Sequence, residues 1–419
     1  MAKKIKRNEK FKLDSILKRI EEKHRIQDDG RVAFDAFTIH EARTVLLPMF
    51  SFPQQITTHV REGLLSNAIA QSLKSGCFSE ETLLSELNSA REKYYARREE
   101  EYTVLTSISA KPTEAMQEIE LDGCIINFLE GDYPEAFKEA RSTVRAHELK
   151  EKIHTPEDYC KVMIRTKDRD PYDAFSRCTA VLDVVRGLLC SFMNKAMSFP
   201  IGGRGIDSIN VVHVGFLHTI HINDGSLAQE SYWYEPFIDY VKPIAVDENT
   251  ARNCLWAIDK LSEFPAAWRE ILLDTLLRYV KALDERQPDS AFLQVWGALE
   301  ALVVNGEVNS DNLPRRCAFL WDQVDYHEQV LRSLRENRNM AVHRGWMPHD
   351  AKTNCYLVQR YFNAMFIAHL KHHGRFKTYK EMTDYLDLPP DIDRLKERAR
   401  MIEIAVKYRS PTKSDAETD

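Results

Sequence analysis

Apolar residues recur at three- and four-residue intervals through the first and last thirds of the chain, and short β-branched runs replace them in the middle. Residues from about 13 to 105 therefore read as helical. The stretch "SEETLLSELNSAREKYYARREEEY" opens on Ser79 as an N-cap, and Glu80 and Glu81 place negative charge in the first turn, where the helix dipole favours it. Its later half is so charged that a solvent-exposed helix is expected. From about 104 the texture changes. "TVLTSIS", "EIELDGCIINFL" and "YCKVMIRTK" are bounded by Gly, Pro or Asp and predict strands, with helical runs such as "DAFSRCTAVLDVVRGLLCSFM" between and after them. "SINVVHVGFLHTIHINDGS" predicts one long strand closing on an Asp224-Gly225 turn.

The last third is the most regular. "AAWREILLDTLLRYVKAL" spaces Trp268, Leu272, Leu276, Tyr279 and Leu283 helically. "PDSAFLQVWGALEALVV", with Asp289 or Ser290 as its cap, does the same through Phe292, Trp296, Leu299 and Val303. After the polar loop "NGEVNSDNLP", a third helix is expected from about 326 to 343 and a fourth from about 352 to 370. The pattern predicts an antiparallel four-helix bundle. The fourth helix is apolar nearly all round, through Tyr356, Leu357, Tyr361, Phe362, Met365 and Phe366, and wants burial on two sides. Its own bundle supplies one side and a second subunit is a candidate for the other. The expected fold class is thus mostly α with an α+β middle region. Its divisions are a helical region at 1–105, an α+β regulatory or substrate-binding region at 106–264, the bundle at 265–375, a helical extension at 376–409 and a disordered tail at 410–419.

Composition narrows the function classes. Over 419 residues, 43% hydrophobic and 29% charged content are those of a soluble globular protein, and a net charge of -6 argues against indiscriminate coating of nucleic acid or anionic membrane. The eight cysteines are scattered with no C-x-x-C pair, and the basic start "MAKKIKRNEKFK" lacks an apolar core, which together suit reduced thiols in the cytoplasm. No stretch is apolar enough to span a bilayer.

The chemistry gathers in "RENRNMAVHRGW", residues 335–346. An arginine followed by histidine after four or five residues also occurs at Arg19–His24, Arg141–His147 and Arg344–His349, so spacing alone discriminates nothing. Context separates the hits. On the third helix the apolar stripe runs Leu331, Leu334, position 338, then Ala341 and Val342, which drives Arg338 toward the bundle, where it needs an acidic partner, an open cleft or an anionic ligand. Arg335, Asn339 and His343 repeat every four residues beside that stripe. Cleaving RNA without a metal needs a base for the ribose 2′-hydroxyl, an acid for the leaving 5′-oxygen and a cation on the phosphate. Histidine serves the first two roles near neutral pH, and arginine's planar fork serves the third. The same residues also suit an ordinary helix end, with cations in the last turn and Gly345 after it.

On these residues the last third, about 266 to 372, resembles the HEPN superfamily ("higher eukaryotes and prokaryotes nucleotide-binding"), most closely its Apea-like branch. That family's signature is Arg, a polar residue, three further residues and His, and "RNMAVH" at 338–343 matches it throughout. "FLQVWGALEALVV" is similar to the family's helix with an Ala-Leu-Glu signature. The resemblance implies a metal-independent endoribonuclease acting as a homodimer through the bundle. It assigns His343 as general base or acid, Arg338 as the phosphate contact and Asn339 as the orienting polar residue. Arg335 and Arg344 are then candidate RNA contacts and Glu300 a candidate support. No metal or cofactor is expected. Apea-like members are often bacterial antiviral or toxin proteins that cut tRNA or other RNA, which implies RNA, possibly tRNA, as partner and a phage-derived trigger or cognate inhibitor. Other members are non-catalytic RNA-binding or dimerisation modules, the competing class here.

Three other features weigh less. His213, His218 and His221 lie close together, but as one strand they would not share a face, and no cysteine or carboxylate stands at zinc spacing. "FPIGGRGID" matches no phosphate-binding glycine pattern and reads as a loop. "SYWYEPF" is aromatic enough to stack a base, although a half-buried strand explains it equally well.

Overall fold

The computed structural model describes residues 4–28, 31–34, 36–53, 56–150, 156–194, 197, 209–229, 233–234, 240–305, 310–344 and 350–410, with the side chains of all of these except 36, 145–150, 234, 310 and 344. About 61% of the chain is helical, so it is mostly α with a small sheet region.

The first helices, α1 (Asp14–Lys23), α2 (Ala36–Leu46), α3 (Thr58–Lys74) and α4 (Glu80–Tyr95), close on an apolar cluster of their own that includes Leu13, Ile20, Leu46, Leu65, Ile69, Leu83 and Leu87. Ser79 caps α4 as its sequence predicts, its Oγ accepting from the Thr82 N–H at 3.2 Å. The charged half of the predicted helix behaves differently. α4 stops at Tyr95 with Arg91 and Tyr94 buried, and the chain is extended again from Glu100. In the strand Glu101 stands opposite Lys167, a pair of opposite charge, while Glu100 stands opposite Asp168.

Six strands, β1 (Glu100–Ile108), β2 (Glu118–Leu121), β3 (Cys124–Leu129), β4 (Cys160–Asp168), β5 (Leu217–His221) and β6 (Trp233–Tyr234), form an antiparallel sheet in the order β6-β5-β1-β4-β3-β2. The β2–β3 hairpin turns on Asp122 and Gly123, both at positive φ, the backbone that two-residue hairpin turns demand. The long strand expected from 208 to 226 is reduced to β5. An isolated bridge joins Val214 to Ile108, and the ladder breaks at Gly215, where a Cβ would lie 2.1 Å from Ser107 Oγ. Helix α5 (Glu135–Lys150) follows the hairpin, and α6 (Pro171–Met193) lies over β1, β3 and β4.

α6 is the strut of the molecule. Its start receives the N-terminal helices, with Asp173 accepting from the Thr57 N–H at 3.1 Å and from the Tyr94 hydroxyl, and Tyr172 stacked on His59. Its far side packs on α7 (Glu248–Glu263) and α8 (Ala266–Leu283). Gly187 lets α6 and α8 approach, because a Cβ there would meet Leu276 at 2.9 Å. The apolar cluster therefore continues across the boundary expected at 264 and reaches Leu386.

Helix α9 (Pro288–Val303) lies between α8 and α12 (Ala351–Lys371). It starts at Pro288 with Gln287 as the cap residue and no side-chain cap, not at Asp289 or Ser290, because proline is well placed in the first turn. α10 (Leu313–Ala318) and α11 (Val324–Arg344) pack on one another, and α11 touches α9. α12 is buried on two sides, as its all-round apolar surface requires, but its second cover comes from within the chain. Asn363 donates to Ser191 O at 3.4 Å, and Asn194 donates to Gln359 at 3.3 Å, tying α12 to α6. After α12 come α13 (Tyr379–Leu386) and α14 (Ile392–Arg409).

Candidate active site

The C-terminal half of α11 carries the predicted motif. Leu331 and Leu334 are fully buried and Ala341 is 6% exposed, so the stripe forms; Val342 departs from it and is exposed. Arg338 interrupts the stripe with its side chain 31% exposed, facing Glu300 of α9 across 3.6 Å. Of the three ways a guanidinium could be tolerated there, the chain thus supplies an acidic partner. Arg338 also donates through Nη1 to the side-chain oxygen of Asn339 at 3.2 Å. The geometry is loose, with one long ion pair and one neighbouring amide, and an exposed pair of this kind holds its members weakly.

The remaining predicted residues are distributed around this pair. Arg335, one turn earlier, is engaged by Asp311 at 2.6 Å, from the turn that precedes α10. His343 is exposed, and among the described residues no polar contact joins it to Arg338, Asn339 or Glu300. The Arg344 side chain and residues 345–349, including Gly345 as the expected helix stop, lie outside the described residues. The helix end therefore brings Arg338, Asn339 and Glu300 together and presents His343 to solvent about one turn along; it does not gather all six candidates into one contact set. Asp311 was missed by sequence reasoning. It lies in the polar loop before α10, and nothing but the packing of α10 on α11 brings it to Arg335.

The three middle-region histidines each have a separate task. His218 Nδ1 is 2.6 Å from Thr106 Oγ1, His221 bonds Gly225 O and Thr219 Oγ1 at 2.9 Å each, and His213 Nε2 is 3.0 Å from Asn210 O. Burial depresses the His218 pKa to about 3, with Arg141 and Arg186 adding repulsion, and burial also lowers His221. His213 lies outside β5, so the three do not line one strand. Among the described residues no group of three or more His, Cys, Asp or Glu is placed to hold a metal. Trp233 of "SYWYEPF" stacks on Phe175 of α6 at 3.7 Å. "FPIGGRGID" lies outside the described residues.

A second charged cluster was not legible. Arg186 is 1% exposed and held by Asp284 at 2.7 Å, Asp183 at 2.8 Å and Val212 O at 3.0 Å. Burial works against the Arg186 charge, but Asp284 and Asp183 outweigh it. Asn210 adds a bond to Asp284 at 2.7 Å. Every direction around this guanidinium is filled, which makes it a fastener between α6 and α8.

No family model, no curated protein and no solved structure matches the chain. Among the described residues, no helix is long and apolar enough to cross a membrane.

Proposed function

We propose that the chain is a metal-independent endoribonuclease of the HEPN type, in which α8, α9, α11 and α12 are the four bundle helices. The observation that carries this reading is Arg338: a half-buried guanidinium on an apolar stripe, opposed by one carboxylate at 3.6 Å, at the helix end that presents an exposed histidine. A phosphate diester would compete with Glu300 for the guanidinium, where it gains a charge-assisted, two-pronged contact. Asn339 holds the guanidinium's other edge.

In the proposed step, His343 removes the 2′-hydroxyl proton, the 2′-oxygen attacks phosphorus, and the 5′-oxygen leaves with a proton from an acid. The products are a 2′,3′-cyclic phosphate and a 5′-hydroxyl, and the nucleophile is the RNA's own. Arg338 offsets charge growing on the phosphoryl oxygens. A homodimer through the bundle would bring a second His343 as the acid, since one histidine cannot be base and acid in the same step. The RNA, possibly tRNA, the cytoplasmic setting and a role in antiviral defence or as a toxin belong to the same proposal, as does a trigger or inhibitor acting on the N-terminal two-thirds.

One observation favours the alternative of a non-catalytic RNA-binding or dimerisation module, namely that no polar contact ties His343 to Arg338 among the described residues. Expression in a bacterial host separates the two. Toxicity that His343→Ala and Arg338→Ala both relieve, with cleaved cellular RNA ending in cyclic phosphate, is expected of the enzyme; RNA capture without new ends would support the module.

A further inference from the structure

Helix α14 has no buried residue in its 18 positions. Its root is nonetheless firm. Leu386 is buried, and Asp387 is clamped by Arg316 at 2.8 Å and Arg315 at 2.7 Å. Asp391 then caps α14, accepting from the Arg394 N–H at 2.9 Å. A capped helix thus projects from a fixed base with Ile392 at 65%, Ile402 at 61% and Val406 at 58% exposure. Surface chains that need no partner do not carry so many large apolar residues on one element.

The spacing says what would cover it. Ile392, Leu395, Ala399, Ile402 and Val406 follow alternating steps of three and four, the seam of a coiled coil, with β-branched residues at two of the three first-seam positions. In a parallel pair of α14 helices, the flanking positions meet five residues apart. Asp391 then faces Lys396 of the second copy, and Arg398 faces Glu403 of the second copy. Every charged flanking pair has opposite signs. The antiparallel register sets Ile392 against Arg409, which puts a charge into the seam.

We propose that α14 pairs with α14 of a second copy as a parallel two-stranded coiled coil, with Ile392, Leu395, Ala399, Ile402 and Val406 in its seam. Met401, Ile404 and Tyr408 remain outside the seam. This pairing does not depend on the ribonuclease reading; it is set by the seam and its flanking charges alone. Two and a half heptads make a weak contact by themselves, and rooting both helices in folded bodies raises their effective concentration for any further contact between the copies.

The test uses the full chain with Cys77, the exposed cysteine, changed to serine. Ile392→Cys is expected to cross-link to its own counterpart under mild oxidation, giving a covalent dimer on a non-reducing gel. Ile402→Glu added to that chain is expected to cut cross-linking at least tenfold, and Tyr408→Lys to leave it unchanged. Because these side chains are exposed, all variants should keep the melting temperature of the parent. Absence of the Ile392→Cys cross-link overturns the proposal, as does equal loss with Tyr408→Lys. A monomer in sedimentation that pellets with phosphatidylserine vesicles would assign the helix to a lipid surface and overturn it too.

Discussion

Arg186 and Arg338 both interrupt the packed face of a helix, yet the chain treats them in opposite ways. Around Arg186 two carboxylates, an amide-supported network and a backbone carbonyl fill every direction, and 1% of the side chain is exposed. Around Arg338, among the described residues, there is one carboxylate at 3.6 Å and one neighbouring amide, with 31% exposed. A guanidinium walled in at this quality can only fasten helices together. One that is half open, and held by a pair worth little in water, is available to an anion. The contrast lies in the completeness of the surroundings rather than in the residue.

The largest effect should come from breaking the closed cluster. Arg186→Met leaves Asp183 and Asp284 without their cation, and loss of one partner of a buried pair costs about 3–5 kcal/mol, read as a lower denaturant midpoint or as insoluble protein. Arg338→Ala should do the reverse. Its stability stays within about 0.5 kcal/mol of the parent, while RNA cleavage falls about 100- to 1,000-fold. Equal destabilisation by the two changes would erase the distinction.

Acid sharpens the same contrast, because the closed region also holds neutral histidines. Burial holds His218 and His369 to a pKa of about 3, with Arg186 among the charges acting on His218. Unfolded, each titrates near 6.5. Between those values the unfolded chain binds more protons, so the stability they contribute is complete above about pH 6.5 and lost as the pH falls. At pH 5 the loss is on the order of 2 kcal/mol for each, and His218→Asn should flatten the pH dependence of the denaturant midpoint. Glu300→Gln is the smallest change. A half-exposed pair is worth under about 1 kcal/mol, so cleavage should move by less than about fivefold; a larger loss would make Glu300 a positioning residue for Arg338.

The motif could be read in the sequence because its signal is local. A helical period places Leu331 and Leu334 inward and carries Arg338 with them, and the loss of Val342 from the stripe touches none of the chemistry. The strands at Glu118–Leu121, Cys124–Leu129 and Cys160–Asp168 were equally local, each a short run between turn residues, whereas the start of β1 had read as helix and β5 as part of a longer strand. What the sequence hid were partners far apart along it. Arg186 meets Asp284 across 98 positions and Arg335 meets Asp311 through α10, and neither pair leaves a periodic trace. Periodicity also states that a face must be covered without saying by what. For α12 part of that cover is supplied by α6, which reaches Asn363 and Gln359. α14, read only as an extension, is the helix whose apolar positions stay open.

The central claim is that the open arginine belongs to a catalytic histidine. It is tested most directly by following cleavage of end-labelled RNA in EDTA by the purified chain, by His343→Ala and by Arg338→Ala, at matched melting temperatures. The account predicts cyclic-phosphate products from the parent and rates at least about 100-fold lower in both variants; equal rates in all three, or cleavage that EDTA abolishes, would contradict it.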